Sequence, residues 1–78
     1  RSLTSPPENA AEILPDDAAD LPHVTRALYV GVGGDVALRM AGGAEVVLRG
    51  VAGGSLIPLR IDRVRATGTS AAGLVGLW

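Results

Sequence analysis

From residue 25 onward, apolar and polar positions alternate with a period of two. In "TRALYVGV" Leu28, Val30 and Val32 share one parity, and Ala27 and Tyr29 share the other. "DVALRM" sets Val36, Leu38 and Met40 against Ala37 and Arg39, and "AEVVLRGV" sets Val46 and Leu48 against Val47 and Arg49. Such alternation predicts strands with one better-buried face. Gly33-Gly34, Gly42-Gly43 and Gly53-Gly54 punctuate the runs. A Gly pair between alternating runs predicts a hairpin, because primed turns need positive φ. "MAGGAE" is the clearest of the three.

The longest strand candidate is "SLIPLRIDRVRAT". Ile57, Leu59 and Ile61 share a parity, whereas Val64 and Ala66 lie on the other. A one-residue slip exchanges the faces, so a bulge near Asp62-Arg63 is expected to restore the apolar side. Pro58 has no N–H to donate and predicts an edge position. "TGTSAAG" reads as a loop and "LVGLW" as a final strand.

Residues 1–22 have a different texture. Pro6, Pro7, Pro15 and Pro22 interrupt any long element. "PENAAEIL" is long enough for one or two helical turns, but a helix that short is marginal in water. An extended arm that orders on a partner is expected, with a plain disordered tail as the alternative. Leu3, Ile13, Leu14 and Leu21 give it apolar handles. The expected fold is therefore all-β: a small five-strand sandwich or barrel of hairpins at residues 23–78, preceded by an extended N-terminal arm at residues 1–22.

Composition changes this picture in one respect. With 78 residues, no Phe, one Trp and one Tyr, the core is small. A single core of this size rarely supplies more than ~3–5 kcal/mol, and small scaffolds need staples. Cys is absent and His23 is the only His, so neither a disulfide nor a structural zinc is expected. Oligomerisation is the staple that remains. No apolar run is long enough to span a bilayer, and the first residues lack a signal-peptide pattern.

Charge is lopsided. Residues 1–20 carry a net −4 and residues 21–78 a net +3, and every basic residue is Arg. Arg60, Arg63 and Arg65 cluster around Asp62 in "RIDRVR". Phosphate-backbone binding asks for more positive charge, and single-strand binding for stacking aromatics, so no direct nucleic-acid contact is expected. Arg–carboxylate pairing across a subunit or fibre interface is one reading, and an ordinary charged strand face is the other.

Catalytic chemistry is not evident. "GVGGDV" has Val36 where a dinucleotide loop needs its third Gly, and it leads into a strand. His23 lies between Pro22 and Val24 with no nucleophile signature beside it. Asp16, Asp17 and Asp20 lack the spacing of a calcium loop. No catalytic residue, metal ligand or cofactor is expected.

Three pieces in order, "TRALYVG" (25–31), "LIPLRIDRVRATGT" (56–69) and "GLVGLW" (73–78), together with the Gly-rich hairpin between the first two, carry a resemblance. Over about residues 20–78 the chain resembles the spike base proteins of gene transfer agents and related tailed phages of alphaproteobacteria. The resemblance implies a non-enzymatic structural protein on the capsid exterior of a phage-like particle assembled in the bacterial cytoplasm. It would form a homo-oligomer at capsid vertices, a pentamer by the symmetry of a vertex. The major capsid protein and a spike fibre used in host-cell attachment would be its partners, without membrane insertion. Within that frame Ile13, Leu14 and Pro15 are expected to bind the capsid, and Trp78, Arg60, Arg63 and Arg65 to lie at an oligomer or fibre interface. Trp78 could instead fill its own subunit's core. The competing functional class is a small free-standing β binding module, for example one for a glycan. That would need an aromatic platform with several polar groups, and the sequence is poor in both.

Overall fold

A computed structural model describes residues 7–78; Leu3 and Pro6 lie outside that range. Among the described residues the fold is all-β, with seven strands: β1 (Ala10–Glu12), β2 (Ala27–Val32), β3 (Gly34–Met40), β4 (Glu45–Val51), β5 (Ser55–Ile57), β6 (Ile61–Arg65) and β7 (Ala72–Leu77). They build a four-stranded sheet in the order β1-β7-β2-β5 and a three-stranded sheet in the order β4-β3-β6. Every pairing is antiparallel.

The alternation sets the core. Leu28 and Val30 from β2, Leu74 from β7, Val36 and Leu38 from β3, and Ile61 and Val64 from β6 are all buried between the sheets. Ile61 and Val64 are three apart yet both point inward. Arg39 pairs with Arg63 while Met40 pairs with Ile61, so Asp62 is an extra residue on β6. This is the bulge that the broken parity demanded.

Two strands more than expected arise for two reasons. The long "SLIPLRIDRVRAT" run divides at Pro58–Arg60, so that β5 belongs to one sheet and β6 to the other. Thr25 fixes this crossing. Its buried hydroxyl donates to the Leu59 carbonyl at 2.8 Å and accepts from the Ile61 N–H at 3.2 Å. The other extra strand is β1, which comes from the N-terminal segment.

Only one of the three Gly pairs makes a hairpin. Gly42-Gly43 turns β3 into β4, with Gly43 N–H donating to the Met40 carbonyl at 2.8 Å. Gly33-Gly34 and Gly53-Gly54 instead carry the chain from one sheet to the other, since β2 and β3, and likewise β4 and β5, lie in different sheets. The two corners touch. A Cβ on Gly33 would stand 2.7 Å from the Val51 carbonyl oxygen and 2.9 Å from the Gly53 nitrogen. Gly33 and Gly53 are glycines because these two backbones approach each other, whereas Gly54 has open space around it and a φ of 81°.

The N-terminal segment is extended, and from Glu8 onward it lies on the body. β1 pairs with β7 through Ala10–Leu77, Ala11–Gly76 and Glu12–Val75. Ile13 is 6% exposed and belongs to the core. Gly76 makes room for it, because a Cβ there would sit 3.1 Å from the Ile13 Cδ1. Past Ile13 the segment crosses to the second sheet, where Asp16 and Leu21 donate backbone hydrogen bonds to Val64 and Asp62 of β6.

A candidate assembly surface

The acidic stretch and the Arg-rich face meet within the chain. Arg39, Arg63 and Arg65 point outward from the three-stranded sheet, and Asp17 and Asp20 lie over them. Asp20 Oδ1 accepts from Arg39 Nη2 at 2.9 Å and pairs with Arg63 Nη2 at 2.7 Å. Arg39 Nε donates to Asp62 at 2.8 Å, Arg65 Nη1 donates to Glu45 at 2.7 Å, and Asp17 accepts from both the N–H and the hydroxyl of Thr67. The predicted interface residues Arg63 and Arg65 are therefore engaged in their own subunit. The signal that could have shown this was the charge asymmetry between the two parts of the sequence.

Hydrogen bonds from Thr67, and from Arg39, hold the Asp17 and Asp62 carboxyls below the ordinary carboxylate range. The Asp62 carboxylate in turn raises the Arg39 guanidinium. A lowered folded-state pKa gives stability that is present above the ordinary value and is lost as pH falls through the lowered one. The melting temperature is thus expected to fall on acidification below about pH 4, and to fall less steeply in Asp62→Asn. Parallel melting curves for the two proteins between pH 2 and 5 would contradict this.

Trp78 lies at one end of the sandwich. Its carbonyl accepts from the Glu8 and Asn9 N–H groups, both at 2.8 Å, and its N–H donates to the Asn9 carbonyl at 2.9 Å. The half-buried indole stacks on the His23 ring, with centroids 4.6 Å apart and planes at 19°. It separates two hollows. One is apolar, among Ile13, Leu21, Pro22 and Thr25. The other is polar, among Asn9, Val24, Arg26 and Arg60. Trp78 therefore neither fills the core nor stands free, because one face of its ring is taken by His23. His23 went unread in this role, because no periodic signal along the chain joins it to Trp78. Arg60 is exposed and makes no ion pair among the described residues.

Of the residues expected to bind a capsid, Ile13 is inside the core, Pro15 is half-buried and Leu14 is 79% exposed. The segment can therefore offer a partner Leu14 and Pro15, with Ile13 as its internal anchor. Other apolar groups face outward on the four-stranded sheet. Leu56, Tyr29 and Val75 stand in register across β5, β2 and β7, ending at Glu12 on β1. Leu56 is 60% exposed and Tyr29 is also exposed. This surface pairs apolar side chains with sheet edges and a lone guanidinium, which suits association with protein. Among the described residues, no group of three or more His, Cys, Asp or Glu could hold a metal ion.

No family model matches the chain, and the search of curated proteins returned no match. Among solved structures, the chain is similar to one from a structure described as the capsid of a native GTA particle computed with C5 symmetry. The two are 42% identical, the match covers 100% of this chain and 90% of that one, and the TM-score is 0.89.

Proposed function

The chain belongs with the capsid components of gene transfer agent (GTA) particles, and we propose that in such a particle it is the spike base. On this reading several copies form a closed ring at a capsid vertex. One side of the ring meets the major capsid protein, and the other anchors the spike fibre used in host-cell attachment. The protein would then sit on the capsid exterior and act through binding, without catalysis.

The observation that carries the reading is a match over the whole chain, at 42% identity, to a chain of a GTA capsid. The C5 symmetry used for that particle agrees with a ring of five. The fold adds two supports. Its core is small for a free monomer, and it leaves Leu14, Leu56 and Tyr29 exposed. The sandwich end that carries Trp78, His23 and Val24 is the side we assign to the fibre. A flat indole ring with few rotatable bonds is the kind of group that dominates contacts.

The test is to purify the protein, weigh its assemblies by light scattering, and add it to particles lacking it. A ring that restores fibre attachment is expected. Trp78→Ala should keep the ring and weaken fibre binding more than tenfold. A stable monomer at high micromolar concentration, or normal fibre-bearing particles without the protein, would refute the proposal.

A further inference from the structure

Among the described residues, Arg39, Arg49, Arg63 and Arg65 each pair with an Asp or Glu of this chain. Arg60 is exposed and has no such pair. It lines the polar hollow beside Trp78, a space of about 390 Å³, together with Arg26, Asn9 and Val24. The same two arginines line a second hollow, of about 290 Å³, with Pro58 and Leu59. Among the described residues, no carboxylate side chain lines either hollow. Two guanidinium groups in one hollow repel each other unless an anion lies between them.

The fold fixes the two arginines there through a buried polar residue. Thr25 is 1% exposed. Its N–H donates to the Ile61 carbonyl at 3.1 Å, and its hydroxyl bonds the residues on both sides of Arg60, Leu59 and Ile61. Arg26 follows Thr25 directly, and its N–H donates to the Leu77 carbonyl at 2.6 Å. The Arg60 carbonyl accepts from the Ala41 N–H at 2.9 Å. Both backbones are thus held in place, and binding a ligand need not order the main chain, which favours affinity.

The lining fits a carboxylate carried on a protein. A guanidinium presents several N–H donors in a planar fork that matches a carboxylate, so Arg26 can hold a contact within its own chain and still donate to a ligand. The Asn9 amide adds a polar group, and the Trp78 indole and Val24, which is 44% exposed, add an apolar wall. An Asp or Glu flanked by apolar side chains matches both halves of this lining. Phosphate backbones ask for a broader positive surface, and the whole chain carries a net charge of −1.

We infer that the hollow between Arg26 and Arg60 seats an acidic side chain of the spike fibre, with Trp78 and Val24 packing on the apolar residues beside it. The inference rests on the reading above that this end of the sandwich meets the fibre, and it names the chemistry of that contact.

The test assembles particles with variant protein and counts their attached fibres by electron microscopy. Arg60 is exposed, so Arg60→Glu should fold, keep the ring and lower fibre attachment more than tenfold, because the seat then repels the incoming carboxylate. Selection for restored attachment in that background should return fibre substitutions that replace an Asp or Glu by a basic residue. Arg26→Gln should weaken attachment as well, and combining it with Arg60→Gln should cost little more than either change alone, because both serve one carboxylate. Losses that simply multiply would make them two separate contacts and overturn the shared seat. Normal attachment in Arg60→Glu, with attachment lost in Trp78→Ala, would overturn the seat and spare the fibre reading, whereas normal attachment in both would overturn the two together. Loss of the ring in Arg60→Glu would place the carboxylate on a second copy and overturn its assignment to the fibre. Inorganic phosphate is also titrated into the purified protein, with Trp78, the only Trp, as the fluorescent reporter. No saturation below millimolar phosphate is expected, and saturation at micromolar phosphate would make the hollow a small-anion site in place of a protein contact.

Discussion

A chain shortened to begin at residue 20 is expected to have no cooperative melt. Three losses combine. The core loses Ile13, which is 6% exposed and packs among the other buried residues. Deleting a buried aliphatic side chain typically costs ~2–5 kcal/mol. β7 loses β1, and with it the register from Ala10–Leu77 to Glu12–Val75. The Arg-rich face loses Asp17 and its bonds to Thr67, while Asp20 is left on a frayed end. Against a core that rarely supplies more than ~3–5 kcal/mol at this size, these losses leave nothing in hand. Circular dichroism during heating reads the result directly, and Ile13→Ala isolates the core component. If residues 1–19 were a separable arm, the shortened chain would melt as the full one does, and that outcome would refute the account.

Gly33→Ala should cost about 1–3 kcal/mol, the usual range for overpacking. The added carbon would lie 2.7 Å from the Val51 carbonyl oxygen and 2.9 Å from the Gly53 nitrogen. Both are backbone atoms of the opposite corner, so no side chain can rotate away. Either the two corners separate or the sheets shift where they join. Gly42→Ala is the control, because nothing lies within 4 Å of a Cβ at that hairpin position. It should change stability by no more than ~0.5 kcal/mol. Chemical denaturation of the two variants side by side is decisive. Equal losses would mean that turn geometry matters and corner contact does not.

Trp78 shows how far a sequence can take a candidate site. A lone Trp is conspicuous, and its candidacy as a contact residue was legible. Its stacking on His23 was not, because nothing local relates positions 55 residues apart in this chain. Arg63 and Arg65 were marked for an interface, and the fold also pairs them with Asp20 and Glu45 of the same chain.

The sequence by itself determined what depends on neighbours along the chain. Period-two alternation named the buried faces, with Leu28 and Val30, and Val36 and Leu38. The parity break located the extra residue at Asp62, and Gly42-Gly43 marked the hairpin. Each follows from backbone geometry over a few residues. Tertiary structure alone decided which strand pairs with which, and so whether a Gly pair turns a hairpin or a corner. It also decided that Ile13 is core and that Asp17 and Asp20 close on the chain's own arginines. The physical reason is that a Gly pair, an apolar residue or a carboxylate carries a local preference but no address. Its partner is fixed only when the two sheets close and bring residues 13–20 against residues 61–76.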